Sequence, residues 1–280
     1  MYAAKSVYTR ARSVWWQARP GGRAKRPGLR ILAYHRVAPG RDELAVSPKR
    51  FQEQMQYLAV AGYCVVGAGE AAASLNAPNR DQVVGLTFDD AYLDVSEHAV
   101  PVLERLGFRA TIFVPTGAVS GTHPFSWYDQ PPPLLDWPMI RDLDRRSTVD
   151  FGAHTISHAN LLAVDDARAA SEIAGSKRML EERIGHQVEA FCYPAGLFGD
   201  RERRLVRESG FQVAVGMEPG ANGPDSDRLS LRRIGIGPRD RLLDFRAKLT
   251  GGHDDPPPLR STYRRLRFAR APGAKRHSDN

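Results

Sequence analysis

The stretch Val83-Val84-Gly85-Leu86-Thr87-Phe88-Asp89-Asp90-Ala91 decides the fold. Its first six residues are apolar or β-branched apart from Gly85, the pattern of a strand buried on both faces in a helix-covered parallel sheet. Two carboxylates follow at once. Outward from this stretch the same alternation repeats: strand-like runs at 29–34, 63–66, 110–114, 149–152, 191–193, 211–215 and 231–236 are separated by amphipathic segments. Ser47-Pro48 reads as the N-cap and first residue of a helix whose apolar face is Phe51, Met55 and Leu58. Val95, Ala99, Val102, Leu103 and Leu106 make a second face, stopped by Gly107. Further helices are predicted at 138–146, 166–184 with Gly185 as C-cap, 201–209 and 240–249. Strands alternating with helices imply βαβ units, and about seven of them in one unbroken run predict an α/β fold, a distorted (β/α) barrel of parallel strands.

Composition agrees with a globular chain. The 280 residues are 42% hydrophobic and 26% charged, too apolar for a disordered polypeptide. The longest uncharged stretch, Ala110 to Tyr128, holds two prolines, two glycines and a histidine, which excludes a membrane span. Two cysteines cannot make a disulfide framework; Cys64 and Cys192 each lie in an apolar run and are predicted to be reduced and buried. The net charge of +8 is uneven. Residues 1–30 carry eight Lys or Arg and no acid, and residues 256–280 carry seven against Asp279 alone. The charge divides the chain into a basic, mobile N-terminal segment (1–28), a mildly acidic body (29–250) and a basic, disordered C-terminal tail (251–280). Trp15 and Trp16 beside Arg12 and Arg19 would suit peripheral contact with an anionic membrane. No nucleic-acid motif lies in the body. The N-terminus lacks the apolar core of a secretory signal, so a cytoplasmic, at most membrane-peripheral, location is expected. The sequence leaves the oligomeric state open.

Barrels keep their chemistry at the C-terminal ends of their strands. Here those ends deliver His35, then Asp89 and Asp90, then His154 and His158, then Pro194-Ala195-Gly196. Each piece alone is commonplace, since Asp-Asp often caps helices and paired histidines are often solvated. Their joint placement at one rim points to a metal: two histidines four apart can face one ion, a carboxylate completes three ligands, and a position stays open for water.

Thr87-Phe88-Asp89-Asp90-Ala91 resembles the first motif of the polysaccharide deacetylases, the NodB-like carbohydrate esterases (family 4). His154-Thr155-Ile156-Ser157-His158 resembles their second motif, and Phe191-Cys192-Tyr193-Pro194-Ala195-Gly196 their third in its poly-N-acetylglucosamine deacetylase form. Ala33-Tyr34-His35-Arg36-Val37, Leu135-Asp136-Trp137 and Leu231-Arg232-Arg233-Ile234-Gly235-Ile236 are similar to that subgroup as well. The resemblance covers roughly residues 30–250. It implies removal of acetyl groups from an N-acetylated, N-acetylglucosamine-type saccharide with a divalent metal, zinc first and Co²⁺ or Ni²⁺ as alternatives. Asp90, His154 and His158 would hold the metal, Asp89 would be the general base and His35 the general acid. The backbone N–H of Ala195 would receive the oxyanion, with Tyr193 and Trp137 lining the substrate. Trp127 and Tyr128 share the Pro-rich insertion 122–138 with Trp137 and compete for that lining role. His98, His123, His186, His253 and His277 have no partner motif.

Three departures from the family pattern stand out. Ala91 replaces a glycine, a small change if its φ is negative. Cys192 stands where many members place an arginine that orients the base, and Arg232 or Arg233 is the candidate replacement. The usual C-terminal Leu-x-His is absent, which is why His35 is given the acid role. The competing readings are a carbohydrate-binding or scaffold protein with a weakened site, or a deacylase of a non-sugar or lipid-linked amide.

Overall fold

The computed structural model describes residues 2–18, 26–40 and 42–255. In chain order they form α1 (Tyr2–Ala18), β1 (Arg30–Tyr34), β2 (Arg36–Val37), β3 (Ala45–Val46), α2 (Pro48–Val60), β4 (Cys64–Val66) and α3 (Ala68–Ala73). Next come β5 (Val83–Phe88), α4 (Val100–Leu106), β6 (Ala110–Val114), α5 (Thr116–Val119), α6 (Trp137–Arg145), β7 (Val149–Ala153) and α7 (Asp166–Ile184). The series ends with β8 (Ala190–Cys192), α8 (Asp200–Glu208), β9 (Val213–Val215), β10 (Ile234–Gly235) and α9 (Leu242–Leu249). The helix boundaries follow local chemistry. Ser47 caps α2 by accepting from Arg50 N, Asp165 caps α7 by accepting from Arg168 N, and Gly107 and Gly185 close α4 and α7 in left-handed conformation. The predicted helix at 95–106 begins with a π-helical turn, Val95–Ala99, because Pro101 has no N–H to give to the preceding turn.

The sheet runs β10-β1-β5-β6-β7-β8-β9, parallel throughout, with β4 also on β5. β5 is the hub. It pairs with β1 along its length, with β4 through Val83–Gly85 and with β6 through Thr87 and Phe88. This fork between two neighbours on one side is what distorts the barrel. Strand parity then sorts the side chains. Leu32, Tyr34, Leu86, Phe88, Ile112 and Val114 pack against the surrounding helices. Ile31, Phe113, Cys192 and Val215 join residues of α3 in a separate inner cluster.

The predicted strand 231–236 is broken in two. Leu231 makes a parallel bridge to Val215 of β9, whereas Ile234 and Gly235 pair with Leu32 and Ala33 of β1. One short segment therefore passes from the last strand to the first, and Arg232 and Arg233 occupy the crossing.

Two expectations are corrected. The described part of residues 1–28 is not simply a free basic tail, because α1 packs on the body. Trp16 is buried, donates from Nε1 to Thr250 Oγ1 and lies under the Arg26 guanidinium. Ser13 is buried beside His253, and Arg12 donates to the carbonyls of Gly252 and Asp255. Burial of one tryptophan is worth about 2–3 kcal/mol, enough to outweigh the solvation preference of the neighbouring charges. Cys64 is exposed at the start of β4, while Cys192 is buried as expected. The predicted tail 256–280 lies outside the described residues. No helix of the described residues is long and apolar enough to cross a membrane.

Asp150 on β7 yields a test of packing at the α3 end of the barrel. A Cβ on Gly67, the residue before α3, would lie 2.4 Å from Asp150 Oδ2, so the carboxyl is tightly enclosed. Burial pushes its pKa up to about 6 against the pull of Thr111 and Arg109. The folded state thus holds this proton more tightly than the unfolded chain, and stability falls as pH rises from about 4 to about 6. Asp150→Asn is expected to gain about 1–3 kcal/mol over the native chain at pH 8 and nothing below pH 4, read from thermal unfolding across pH.

Candidate active site

The C-terminal ends of β1, β5, β7 and β8 converge on one buried group of side chains. Asp89 follows β5 and is fixed by its own N–H, which donates to Tyr34 O. Its carboxylate takes both arms of one guanidinium: Arg233 Nη1 lies 2.7 Å from Oδ1 and Nη2 2.8 Å from Oδ2. Arg233 is fully buried and also donates to Gly216 O and Thr87 Oγ1, with Nη2 3.0 Å from Cys192 Sγ. Burial alone would raise the Asp89 pKa, but the charge and hydrogen bonds of Arg233 hold it well below the usual carboxylate range. Asp89 is therefore a fixed anion.

Asp90 has the opposite character. It is buried and left-handed (φ 73°), and Oδ1 has no hydrogen-bond partner. Burial and the adjacent Asp89 charge push its pKa well up. Two imidazole nitrogens stand close to that orphaned oxygen: His158 Nε2 at 3.6 Å and His154 Nε2 at 3.7 Å. Burial lowers the pKa of both rings, that of His154 to about 4, so they are neutral bases. His154 Nδ1 lies 2.7 Å from Cys192 O, an acceptor only, so the ring proton sits there and the Nε2 lone pair faces Asp90. An unpaired buried carboxylate oxygen facing two basic imidazole nitrogens fits a divalent cation, and the three ligand atoms lie within 4.8 Å of one another. Asp89, His154 and Cys192 are grouped as closely, but Arg233 already bonds both Asp89 and Cys192 and would repel a second cation.

The histidine loop is held by a residue the sequence reading missed. Glu172 of α7 accepts from the N–H groups of Ile156 and Ser157 and from the Ser157 hydroxyl. A buried glutamate inside a helix, sixteen residues after the loop it ties, carries no local signal. Left-handed backbone clusters here as well. Asp90, Ala91, Thr155, His158 and Ala195 all have φ between 52° and 73°, at the ends of β5, β7 and β8. Ala91 has φ 52°, so the replacement of glycine carries real strain, of order 1 kcal/mol.

Other predicted site residues separate into two groups. His35 stands with its Nε2 4.0 Å from Asp89 Oδ2, half-buried, its pKa lowered by burial against the pull of Asp89. Ala195 is half-buried in the turn after β8. Tyr193 does not line the site through its side chain. Strand parity turns it away from Cys192 into the helix-side core, where it stacks on Phe198 and donates to Leu229 O. Trp137 is likewise a core residue, under Arg183 and donating to Ser120 Oγ. The ring that reaches the ligand group is Trp127, 4.8 Å from His158 and stacked on Phe125. Of the two candidate arginines, Arg233 supplies the charge and Arg232 is exposed.

Barrel and site together have the form of a metal-assisted hydrolase. The family model for polysaccharide deacetylase matches residues 76–214. That stretch of the chain is a polysaccharide deacetylase domain, of a family that hydrolyses carbon–nitrogen bonds outside peptides. It is 28% identical over 212 residues to the Bacillus subtilis chain YxkH, which carries the name of a polysaccharide deacetylase, covering 75% of this chain and 72% of the relative. It is 25% identical to the poly-β-1,6-N-acetyl-D-glucosamine N-deacetylase of Staphylococcus epidermidis, over 54% of this chain and 53% of that enzyme. Among solved structures, IcaB from Ammonifex degensii superposes with TM-score 0.71 at 26% identity, covering 81% of this chain and 99% of that one. The Streptococcus pyogenes deacetylase PplD in complex with acetate superposes with TM-score 0.70 at 24% identity, covering 80% and 98%.

Removing the guanidinium strands a buried anion. Arg233→Met is expected to cost about 3–5 kcal/mol at neutral pH, and the loss should shrink as acid protonates Asp89. The double variant Asp89→Asn/Arg233→Met should recover part of it. Thermal melts of the three proteins between acidic and neutral pH make the comparison.

Proposed function

We propose that this chain hydrolyses the N-acetyl amide of an N-acetylglucosamine-type saccharide. The observation that carries the reading is the orphaned Asp90 oxygen between two imidazole nitrogens, next to an aspartate already neutralised by Arg233. A divalent metal held by Asp90, His154 and His158 would polarise the amide carbonyl and acidify a water. Two imidazoles and one carboxylate favour zinc, with Co²⁺ or Ni²⁺ as substitutes.

The side chains divide the remaining work. Asp89 takes the proton as the water oxygen attacks the acetyl carbon. Arg233 keeps Asp89 ionised and oriented, so that its free lone pairs face the attacking water. The N–H of Ala195 donates to the carbonyl oxygen as negative charge develops on it, a donor that does not depend on the side chain. His35, 4.0 Å from Asp89, gives a proton to the sugar nitrogen as the C–N bond breaks, because an amide does not readily expel an unprotonated amine. Acetate and the free amine leave. Trp127 beside His158 offers an apolar face for the sugar ring or the acetyl methyl.

Acetate release from N-acetylglucosamine oligomers tests the assignment. Dialysis against a chelator should abolish it and Zn²⁺ or Co²⁺ should restore it; full turnover in protein shown to be metal-free contradicts the reading. Asp89→Asn should keep stoichiometric metal and lose ~10²–10⁴-fold in rate, whereas Asp90→Ala should lose both metal and rate. The defect of His35→Ala should shrink on an activated acetyl ester, whose leaving group needs no proton. Equal losses on amide and ester would make His35 a structural residue.

A further inference from the structure

α1 is amphipathic in the wrong sense for a helix that only packs on a barrel. Its inward side carries Ser13, Arg12 and the single anchor Trp16, while its outward side is apolar. Val7 is 70% exposed, Tyr8 47%, Val14 50% and Trp15 60%, and the exposed Ala11 and Ala18 lie on the same stripe at helical spacing. The apolar surface continues onto α9. Leu242 and Leu243 are 36% and 42% exposed and line a shallow groove with Gln17 and Arg246, where α9 lies against α1. Six exposed residues, each larger than alanine and all apolar or aromatic, on two adjoining helices form a patch rather than a scatter, and such patches mark interaction sites.

The charge around the patch selects the partner. Residues 1–30 hold eight Lys or Arg and no acid; Arg10, Arg26 and Arg30 are paired with Asp244, Asp255 and Asp254 and Arg12 is turned onto main-chain carbonyls, so Lys5, Arg19, Arg23 and Lys25 carry the basic surplus of this segment. Arg241 and Arg246 are exposed on the same stretch as Leu242 and Leu243, and the nearby acids Asp240 and Asp244 are buried and paired with Lys248 and Arg10. A protein partner would need an acidic rim around an apolar centre, whereas an anionic bilayer presents both over any area. Trp15 and Tyr8 have the amphipathic ring chemistry that settles at the headgroup level.

We propose that the outward face of α1, with Leu242 and Leu243, docks this protein on an anionic lipid surface. The face inserts shallowly and the arginines meet lipid phosphates. α9 follows β10, so its first residues lie toward the strand ends that carry the site, and the docked protein holds its barrel mouth near the bilayer. This surface is separate from the metal-ligand group, and its failure would leave the deacetylase reading untouched.

The test is co-sedimentation of the full chain with large vesicles of phosphatidylcholine, with and without phosphatidylglycerol. Binding is expected to require phosphatidylglycerol, to weaken with salt, and to fall about tenfold or more in Val14→Ser/Trp15→Ser, which removes the apolar side chains without changing the charge. That variant keeps every basic residue, so its loss isolates the face from the tails. Both positions are exposed, and an unchanged melting temperature confirms an intact fold. No binding of the native chain to anionic vesicles overturns the proposal, as does binding by the variant equal to that of the native chain. Native dimers that the variant converts to monomers, without vesicle binding, would reassign the face to self-association.

Discussion

The bidentate pair between Arg233 and Asp89 is the interaction that makes two adjacent aspartates different. Both are buried and follow the same strand, yet one is held as an anion and the other has an oxygen with no partner. Without Arg233 two uncompensated carboxyls would share an enclosed space, and Asp89 too would be driven toward its protonated form. With Asp89 compensated, Asp90 is left facing two neutral imidazoles, an arrangement that a dication completes. In the proposed chemistry a single buried cation is what divides the base role from the ligand role.

The same arginine ties chemistry to closure of the barrel. It sits between Leu231, bridged to β9, and Ile234, paired to β1. Breaking that strand into two pairings lets Arg233 turn inward over Phe113 and reach the end of β5. Burying an unpaired guanidinium would cost several kcal/mol, so the closing segment is stable only with Asp89 ionised beneath it. The left-handed residues at the mouth are the other constraint. Asp90 and Ala91 in succession, with Thr155, His158 and Ala195, bend the chain sharply where each strand ends. Main-chain bonds from Thr116 and Gly117 and the Glu172 carboxylate hold the histidine loop in that shape.

Much of this was legible in the sequence because its determinants are local. Ser47-Pro48, Gly107 and Gly185 mark helix ends by backbone chemistry alone, and apolar runs ending in Asp, His or Pro mark strands that deliver polar groups to one rim. The resemblance to a known family then assigned roles. What stayed hidden depends on contacts across the chain. Arg233 meets Asp89 over 144 positions, and nothing near it separates it from Arg232 until the barrel closes. Charge density made residues 1–28 read as a free segment, because one buried tryptophan and its polar neighbours are invisible in a charge count. Tyr193 was assigned to the substrate side although its parity with Cys192 on β8 sends it to the other face. Trp137 and Trp127 sit ten positions apart in one insertion, and only the packed loop shows which ring meets His158.

The proposed chemistry requires Asp90, not Asp89, to be the carboxylate that binds metal. The direct measurement is a crystal structure of the protein soaked in Zn²⁺, with anomalous scattering recorded across the zinc edge. The predicted result is one strong peak bonded to Asp90, His154 Nε2 and His158 Nε2, with Asp89 outside the coordination sphere and still paired with Arg233. A peak bonded to Asp89, or lodged among Asp89, His154 and Cys192 with Arg233 displaced, would contradict it.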